Sequence, residues 1–212
     1  MFISADTIQN EAFRECTNLV SVTFTSNVKS IGELAFIMCT NMESVDLPSS
    51  VTEIEYGAFG YCLGLNAVTF PANVKSIGSY AYAGCNNMES VTSLIKEPFE
   101  ITEDVFMNVD MQTGETSFTK ATLYVPYGTK VKYEATAAWD KFENIVEMEK
   151  TEDFGDVNGD GSVGIGDIVA VTNVMAGAGG DAEAAARADV NGDGSVGIGD
   201  IVAITNIMAG QQ

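Results

Sequence analysis

Residues 31–53 read IGELAFIMCTNMESVDLPSSVTE, and the next 23 residues, IEYGAFGYCLGLNAVTFPANVKS, repeat the same pattern of apolar positions. The unit I-x-x-x-A-F-x-x-C-x-N-L-x-x-V-x-F-x-x-x-V-x-x occurs four times between residues 8 and 93, beginning at Ile8, Ile31, Ile54 and Ile77. A fixed period of this length is typical of solenoids, in which stacked units bury one continuous core. The sequence therefore predicts a repeat architecture for the first half of the chain.

Each unit contains a short strand. The segment L-x-x-V-x-F, residues 19–24 in the first unit, has the alternation of a strand with one buried face, and V-x-x-I at 28–31 supplies a second extended stretch. The position before the Leu or Met is occupied by Asn18, Asn41, Gly64 and Asn87. Exchange between Asn and Gly predicts a positive φ there, where a Cβ is otherwise penalised.

The four cysteines, Cys16, Cys39, Cys62 and Cys85, follow the same 23-residue period. Equivalent residues in stacked units have parallel side chains about one strand spacing apart, whereas a disulfide needs Cβ vectors that converge. Free cysteine commonly behaves as a small apolar residue. Four buried thiols are therefore expected in place of two disulfides.

The outward positions of the strands predict an exposed sheet face. They carry Ser21, Thr23, Ser44, Asp46, Ala67, Thr69, Ser90 and Thr92. Such a face binds ligands in some solenoids, but small hydroxyl residues also suit a solvated strand, and these positions show no aromatic stripe.

The period breaks after Val91. Residues 107–120 form a polar insertion, 121–126 and 142–149 have strand patterns, and 129–139 resemble a helix. Solenoids need a terminal unit that closes the core. Large apolar residues available for this are Leu123, Val125, Tyr133, Trp139, Phe142 and Ile145. Residues 94–150 are therefore predicted to be a C-terminal cap.

Composition excludes several classes of function. The net charge is −20, which repels nucleic acid and anionic membranes and favours cations. No apolar run approaches the roughly 20 residues that span a bilayer. The chain has no histidine, which removes Ser-His-Asp and Cys-His catalysis and the usual catalytic zinc sites. The protein is predicted not to be an enzyme.

The twelve residues DVNGDGSVGIGD occur twice, from Asp156 and from Asp189. Oxygen-bearing residues fall at positions 1, 3, 5, 7 and 12, the ligand spacing of a calcium loop, and Gly161 and Gly194 allow the sharp turn at position 6. The predicted ligands of two Ca²⁺ ions are Asp156, Asn158, Asp160, Ser162 and Asp167 in the first loop, and Asp189, Asn191, Asp193, Ser195 and Asp200 in the second.

A helix is predicted after each loop. Apolar residues at 168, 171, 174 and 175 share one helix face, and Gly177 or Gly210 follows. A short helix, 181–188 with Asp181 as its N-cap, precedes only the second loop, whereas the first loop directly follows a polar linker. This arrangement differs from an EF-hand, which has a helix before each loop.

Two resemblances follow from these motifs. The repeat register resembles BspA-like leucine-rich repeats over about residues 1–93, and the twin loops with their helices, about 153–212, resemble a type I dockerin. They imply an α+β two-domain protein: a β-rich leucine-rich repeat solenoid with a right-handed superhelix at 1–150, then a small α-helical dockerin-like domain with two calcium loop-helix motifs at 151–212.

The dockerin resemblance implies docking to a cohesin-like protein through one of two near-symmetric half-sites. The corresponding positions are Ile165, Gly166, Thr172 and Asn173 in one half, and Ile198, Gly199, Thr205 and Asn206 in the other. An alternative for Ile165 and Ile198 is a buried contact between the halves, because a repeated exposed isoleucine usually needs a partner.

The favoured hypothesis is a non-catalytic recognition or adhesion protein, secreted or on the cell surface of a bacterium, whose solenoid presents a surface for an unknown protein or glycan ligand. In one alternative the calcium module only stabilises the C-terminus of the solenoid. In another the chain is the C-terminal part of a larger extracellular polysaccharide-degrading enzyme, because Met1 aligns with a strand position inside a repeat.

Overall fold

A computed structural model describes residues 2–3, 5–149, 155–159, 162–178 and 187–209. The chain divides into two compact units, Met1–Glu149 and Lys150–Gln212. The short helix predicted at 181–188, apart from its last two residues, and most of the predicted linker lie outside the described residues, as does Gly210.

The first unit is a solenoid built mainly from short parallel strands. Its strands are β1 (Phe2–Ile3), β2 (Thr7–Ile8), β3 (Ser21–Phe24), β4 (Ser30–Ile31), β5 (Ser44–Asp46), β6 (Glu53–Ile54), β7 (Ala67–Phe70), β8 (Ser76–Ile77), β9 (Ser90–Ser93), β10 (Met107–Val109), β11 (Thr116–Phe118), β12 (Thr122–Val125) and β13 (Ile145–Glu147). Strands β2, β4, β6 and β8 form one parallel sheet, and the strands of the exposed face form two others, β1-β3-β5 and β7-β9-β12-β13.

The 23-residue period sets the strand register, as predicted. Val22 pairs with Val45 and Val68 with Val91, so that equivalent side chains of successive coils stack. All four valines are buried, while their neighbours on the strands alternate outward. Because a strand has a side-chain period of two, this register keeps every apolar side chain on the inner face.

An aromatic column runs through the core. The rings of Phe13, Phe36, Phe59 and Tyr82 stack with centroid separations of 5.0, 5.2 and 5.2 Å, and Phe106 extends the column at 5.8 Å from Tyr82. Offset aromatic pairs contribute about 0.5–1.5 kcal/mol each beyond their buried area. The column therefore links the four regular coils to the segment after residue 93.

The prediction of positive φ at Asn18, Asn41, Gly64 and Asn87 is wrong. Positive φ occurs at two other columns of the repeat: Glu11, Leu34, Gly57 and Tyr80, and Glu15, Met38, Tyr61 and Gly84. Residues other than glycine occupy most of these positions, so the sequence carries no glycine signal there.

The asparagines instead join neighbouring coils. The side-chain amide of Asn41 donates to the carbonyl oxygen of Thr17 at 2.8 Å, and that of Asn87 donates to the carbonyl oxygen of Leu63 at 2.8 Å. At the equivalent position, the main-chain N–H of Gly64 donates to Thr40, and an added Cβ would lie 2.9 Å from the carbonyl oxygen of Met42. Gly64 thus marks a closer approach between the main chains of two coils.

The cysteine prediction is confirmed for three of the four thiols. Cys39, Cys62 and Cys85 are buried and donate S–H···O hydrogen bonds of 3.1–3.2 Å to the carbonyl oxygens of Phe13, Phe36 and Phe59, and all four cysteines are free. Cys16 is exposed, which corrects the prediction. It lies in the first coil, which has a neighbouring coil on only one side within the described residues.

The segment after residue 93 extends the exposed sheet. Strand β12 pairs with β9 and β13 pairs with β12, both in parallel, placing Leu123 and Ile145 in line with Val91. The polar insertion forms an antiparallel hairpin, β10-β11, after a 3-10 helix at Glu103–Phe106. The predicted helix at 129–139 is reduced to α1 (Lys130–Glu134) and a 3-10 turn at Trp139–Lys141.

Large side chains of this segment complete the core. Leu123, Val125, Tyr133 and Trp139 are fully buried. The indole N–H of Trp139 donates to the carbonyl oxygen of Phe99 at 2.9 Å, which satisfies the polar atom of a buried ring.

The described residues of the second unit include two long helices, α2 (Ile165–Met175) and α3 (Ile198–Met208), which begin 33 residues apart along the chain. Val171 and Ile204 are fully buried, and they share a small core with Val157, Ala188 and Val190. Met175 was predicted to lie on the buried face, but it is 44% exposed. The structure describes no helix long and apolar enough to cross a membrane.

Candidate functional site

The second twelve-residue loop leads directly into α3 and is described throughout. The Asp189 carboxylate accepts hydrogen bonds from the main-chain N–H groups of Asp193 (3.1 Å) and Gly194 (2.9 Å). Gly194 has a φ of +85°, which a residue with a Cβ rarely adopts. Position 1 of the loop is thus folded back over positions 5 and 6.

Three further oxygen-bearing side chains of this loop interact with one another. The amide of Asn191 donates to Asp193 Oδ2 at 2.9 Å, and the Ser195 hydroxyl donates to Asp193 Oδ1 at 2.7 Å. Hydrogen bonds from the Ser195 and Asn191 side chains and from the Ser195 N–H lower the pKa of Asp193. Positions 3, 5 and 7 therefore lie together, with the position 5 carboxylate in its charged form.

The position 12 carboxylates close both loops. Asp200 is buried, and its two oxygens accept the N–H groups of Asn191 (3.0 Å) and Gly197 (2.7 Å). Asp167 is likewise buried and accepts the N–H groups of Asn158 (3.0 Å) and Gly164 (2.7 Å). A buried carboxylate needs such donors. Both residues connect the start of a helix to the third position of its loop.

The first loop matches the second in the contacts of position 12 but differs from it at position 1. The Asp156 carboxylate accepts the N–H of Gly159 at 2.8 Å, and Ser162 is exposed. Two predicted members of this loop, Asp160 and Gly161, lie outside the described residues.

The donor atoms fit calcium by their chemistry. Every predicted side-chain ligand in the two loops offers an oxygen of a carboxylate, an amide or a hydroxyl, and hard divalent cations prefer oxygen ligands. In the second loop, the side chains at positions 1, 3, 5 and 7 form hydrogen bonds with one another or with the intervening main chain. Within the described part of the loops, however, no three acidic side chains converge on a common point.

The predicted partner-binding residues lie on the exposed faces of the two helices. Ile165 and Ile198 are 73% and 72% exposed, so the alternative in which they are buried between the halves is wrong. Gly166, Thr172 and Asn173 in α2, and Gly199, Thr205 and Asn206 in α3, are exposed as well.

Sequence analysis missed Val169 and Val202, which are 52% exposed and follow Ile165 and Ile198 by one helical turn. Their i, i+4 spacing from Ile165 and Ile198 was the available signal. Within α2 and α3 the only charged residues are Asp167 and Asp200, and both are buried. Each helix therefore presents an uncharged face with two prominent branched side chains.

The exposed sheet of the solenoid also differs from expectation at one end. The predicted outward positions on β3, β5 and β7 are exposed, and those on β9 are half-buried. Tyr124 on β12 and Val146 on β13 also lie on this face, paired with each other in register and 37% and 36% exposed. The face thus carries an aromatic ring that the repeat pattern did not reveal.

Comparisons with known proteins agree with this division. The BspA type leucine rich repeat model matches residues 4–123 in six copies, and the type I dockerin domain model matches residues 154–209. Both families are non-catalytic interaction modules typical of extracellular or cell-surface proteins, and type I dockerins bind calcium. No curated protein is significantly similar to the chain.

Solved structures with similar folds include a leucine rich repeat protein of T. pallidum, with 27% identity over 43% of this chain and 57% of that one, at a TM-score of 0.37. A leucine rich cell surface protein of Faecalibacterium prausnitzii has 26% identity over 57% and 33% of the two chains, at a TM-score of 0.41. The pneumococcal vaccine antigen PcpA has 18% identity over 69% and 42%, at 0.48. The chain spans only about a third to just over half of the length of these proteins. The chain belongs to the BspA type leucine rich repeat family and carries a type I dockerin domain at its C-terminal end.

Proposed function

We propose that this protein is a surface-associated recognition protein of a bacterium, in which the dockerin domain, loaded with two Ca²⁺ ions, docks to a cohesin-like partner while the solenoid presents a ligand-binding surface. The domains are taken as 1–150 and 151–212. The solenoid is taken as right-handed, the hand of nearly all parallel crossover connections.

The main support for the docking role is the pair of equivalent exposed faces on α2 and α3. Ile165 with Val169, and Ile198 with Val202, repeat the same exposed apolar pair at a 33-residue interval. Exposed apolar side chains that recur in one arrangement are a usual mark of an interaction surface. Either face would meet the partner in the same way after a rotation of the domain.

The residues on these faces indicate which kind of partner surface can bind them. The chain carries a net charge of −20, yet the exposed residues of α2 and α3 carry none. Association through such a face relies on apolar burial, not on ion pairs, and is weakly sensitive to salt. The partner's docking face is accordingly apolar and uncharged at its centre.

Calcium supports docking by holding the loops that begin both helices. The proposed ligands are those named above, from Asp156 to Asp167 and from Asp189 to Asp200. An ion bound there offsets the repulsion among carboxylates of one loop, and ligand loss is coupled to folding in small metal domains. Calcium thus links helix stability to partner binding.

The test is capture by the full chain from an extract of its source, run in parallel with calcium and with a chelator. The proposal predicts calcium-dependent retention of a protein that contains a cohesin-like domain, in unchanged yield at high salt. Retention that ignores calcium, or a captured protein held through the solenoid alone, would contradict it.

A further inference from the structure

The exposed sheet of the solenoid is interrupted between β5 and β7. These strands belong to successive coils, but the described residues form no strand pairing between them. A cleft of about 120 Å³ lies at this junction. It is lined by residues 43–46 of one coil and 66–69 of the next, and the polar side chains among them are Glu43, Ser44, Asp46, Asn66 and Thr69.

The interruption coincides with the missing asparagine of the third coil. Where Asn41 and Asn87 join a strand to the coil before it, β3 pairs with β5 and β7 pairs with β9. Where Gly64 replaces the asparagine, the pairing is absent. The missing strand pairing and the glycine thus occur at the same junction, although the main chains of the two coils approach closely at Gly64 itself.

At this junction the regular ladder of main-chain hydrogen bonds is absent. In a parallel sheet the facing N–H and C=O groups of neighbouring strands bond to each other, and groups without such partners must bond to water or to a ligand. A ligand that replaces water in this cleft must offer both hydrogen-bond donors and acceptors.

The side chains around the cleft restrict the class of ligand. Glu43 and Asp46 are exposed carboxylates, which accept hydrogen bonds and repel anions, while Asn66 adds an amide and Ser44 and Thr69 add hydroxyls. No group of three acidic residues suited to a metal ion occurs among the described residues. Uncharged hydroxyl groups, which both donate and accept, match this set.

An aromatic ring lies on the same face, two strands from the cleft. Thr69 pairs with Thr92 on β9, and Thr92 pairs with Tyr124 on β12. At the usual strand spacing, Tyr124 is about 10 Å from the position of Thr69. A ring 37% exposed beside Thr92 is a surface on which the apolar face of a sugar can pack.

We propose that the β5–β7 cleft binds one unit of a neutral oligosaccharide, and that the next part of the sugar chain runs across β9 and packs on Tyr124. This inference rests on the proposed ligand-presenting role of the solenoid and names the place and the chemical class of its ligand. It is independent of the docking faces on α2 and α3.

The test is an NMR titration of the isotope-labelled full chain with four neutral hexasaccharides, maltohexaose, cellohexaose, xylohexaose and mannohexaose, and separately with the basic peptide hexalysine. At least one sugar is expected to shift the amide signals of Ser44–Asp46 and Ala67–Phe70. No shift in these strands with any sugar, or shifts there with hexalysine only, would overturn the proposal.

Variants then locate the contacts. Asp46→Asn, at an exposed position, should weaken binding of the active sugar about tenfold, the loss expected for a hydrogen bond to a charged group. Asn66→Ala, also at an exposed position, should weaken it several-fold, because a neutral hydrogen bond contributes less. Asp140→Asn removes an exposed carboxylate outside the cleft and should leave binding unchanged. Equal affinities for all three variants and the unaltered chain would refute the assignment.

Ligand length tests the role of Tyr124. Tyr124→Ala should weaken binding of the hexasaccharide several-fold and leave binding of the corresponding monosaccharide unchanged. Weaker binding of both sugars, or of neither, would contradict the proposed path of the sugar chain across β9 to Tyr124. Calcium-dependent partner capture, measured on the same variants, should be unaffected, so failure of the cleft and failure of docking give different results.

Discussion

Tyr133 in α1 and Ser93 at the end of β9 are joined by a hydrogen bond of 2.6 Å between their hydroxyl oxygens, and the same tyrosine hydroxyl lies 2.8 Å from the carbonyl oxygen of Ile95. All three residues are buried. Tyr82, in the aromatic column, is also buried, but its hydroxyl has no hydrogen-bond partner. Of these two buried tyrosine hydroxyls in one core, that of Tyr133 is therefore hydrogen-bonded and that of Tyr82 is not.

Replacement of each by phenylalanine should change stability in opposite directions. Tyr133→Phe leaves Ser93 and Ile95 without their partner and should lower the free energy of unfolding by about 1–2 kcal/mol, whereas Tyr82→Phe removes an unsatisfied buried group and should raise it by about 1 kcal/mol. Denaturant unfolding followed by the fluorescence of Trp139, the only tryptophan, measures this in the solenoid. Destabilisation by both changes would show that the Tyr82 hydroxyl has a partner in solution.

The asparagine contacts between coils predict a second effect. Asn87→Ala removes the hydrogen bond to Leu63 and should cost about 1 kcal/mol, a typical net value for one hydrogen bond. Asn27→Ala is the control, since the structure shows no side-chain hydrogen bond for this exposed residue. The same fluorescence measurement compares the variants, and equal stabilities would contradict a contact role for Asn87.

Thiol reactivity should follow burial. Burial raises the pKa of Cys39 to about 11 and of Cys85 to about 12, and it also raises the pKa of Cys62. These thiols stay protonated in the folded chain at pH 8–9, and the thiolate is the reactive form. Alkylation of the native protein should therefore modify Cys16 alone, and all four cysteines after unfolding, as counted by mass spectrometry.

The same pKa shifts make the stability of the folded solenoid depend on pH. An unfolded thiol loses its proton near pH 9, whereas the buried thiols retain theirs up to about pH 11–12. The folded state thus binds more protons across this window, so stability should fall as pH rises through it. A Cys39→Ala, Cys85→Ala double variant should show a smaller fall in its denaturation midpoint, and an unchanged slope would contradict the burial of these thiols.

The 23-residue period was sufficient to predict strand position and register, because equivalent residues such as Val22 and Val45 must stack for the core to remain apolar. It could not predict which positions have positive φ, because Leu34 and Tyr80 occupy them in place of glycine. The exposure of Tyr124 was also missed, since β12 enters the sheet after the period has broken.

The candidate sites were predictable to different extents. Ligand spacing identified the loop residues, and the buried carboxylates of Asp167 and Asp200 lie at the helix starts as the loop register implies. The interruption between β5 and β7 coincides with Gly64, the one glycine in a column otherwise occupied by asparagine. The replacement of asparagine by Gly64 could not be interpreted from the sequence, because the hydrogen bonds that Asn41 and Asn87 form between coils are seen only in the structure.

Docking should require one intact apolar face, on α2 or on α3, but not both faces. Ile165→Asp or Ile198→Asp alone leaves one face unaltered and should reduce partner capture only about twofold, as the number of usable orientations falls from two to one. The double variant should abolish capture, because it places a charge in each apolar contact. Ser26→Asp, on the solenoid, is the control for added charge, and full capture by the double variant would refute the assignment.

Calcium stoichiometry tests the account most directly. Calorimetric titration of the full chain with Ca²⁺ should show two ions bound per chain, and Asp193→Ala should reduce the number to one, because position 5 of the second loop then lacks its carboxylate. Binding of no ion, or an unchanged count in Asp193→Ala, would contradict the view that the twin loops are calcium sites that hold the docking helices.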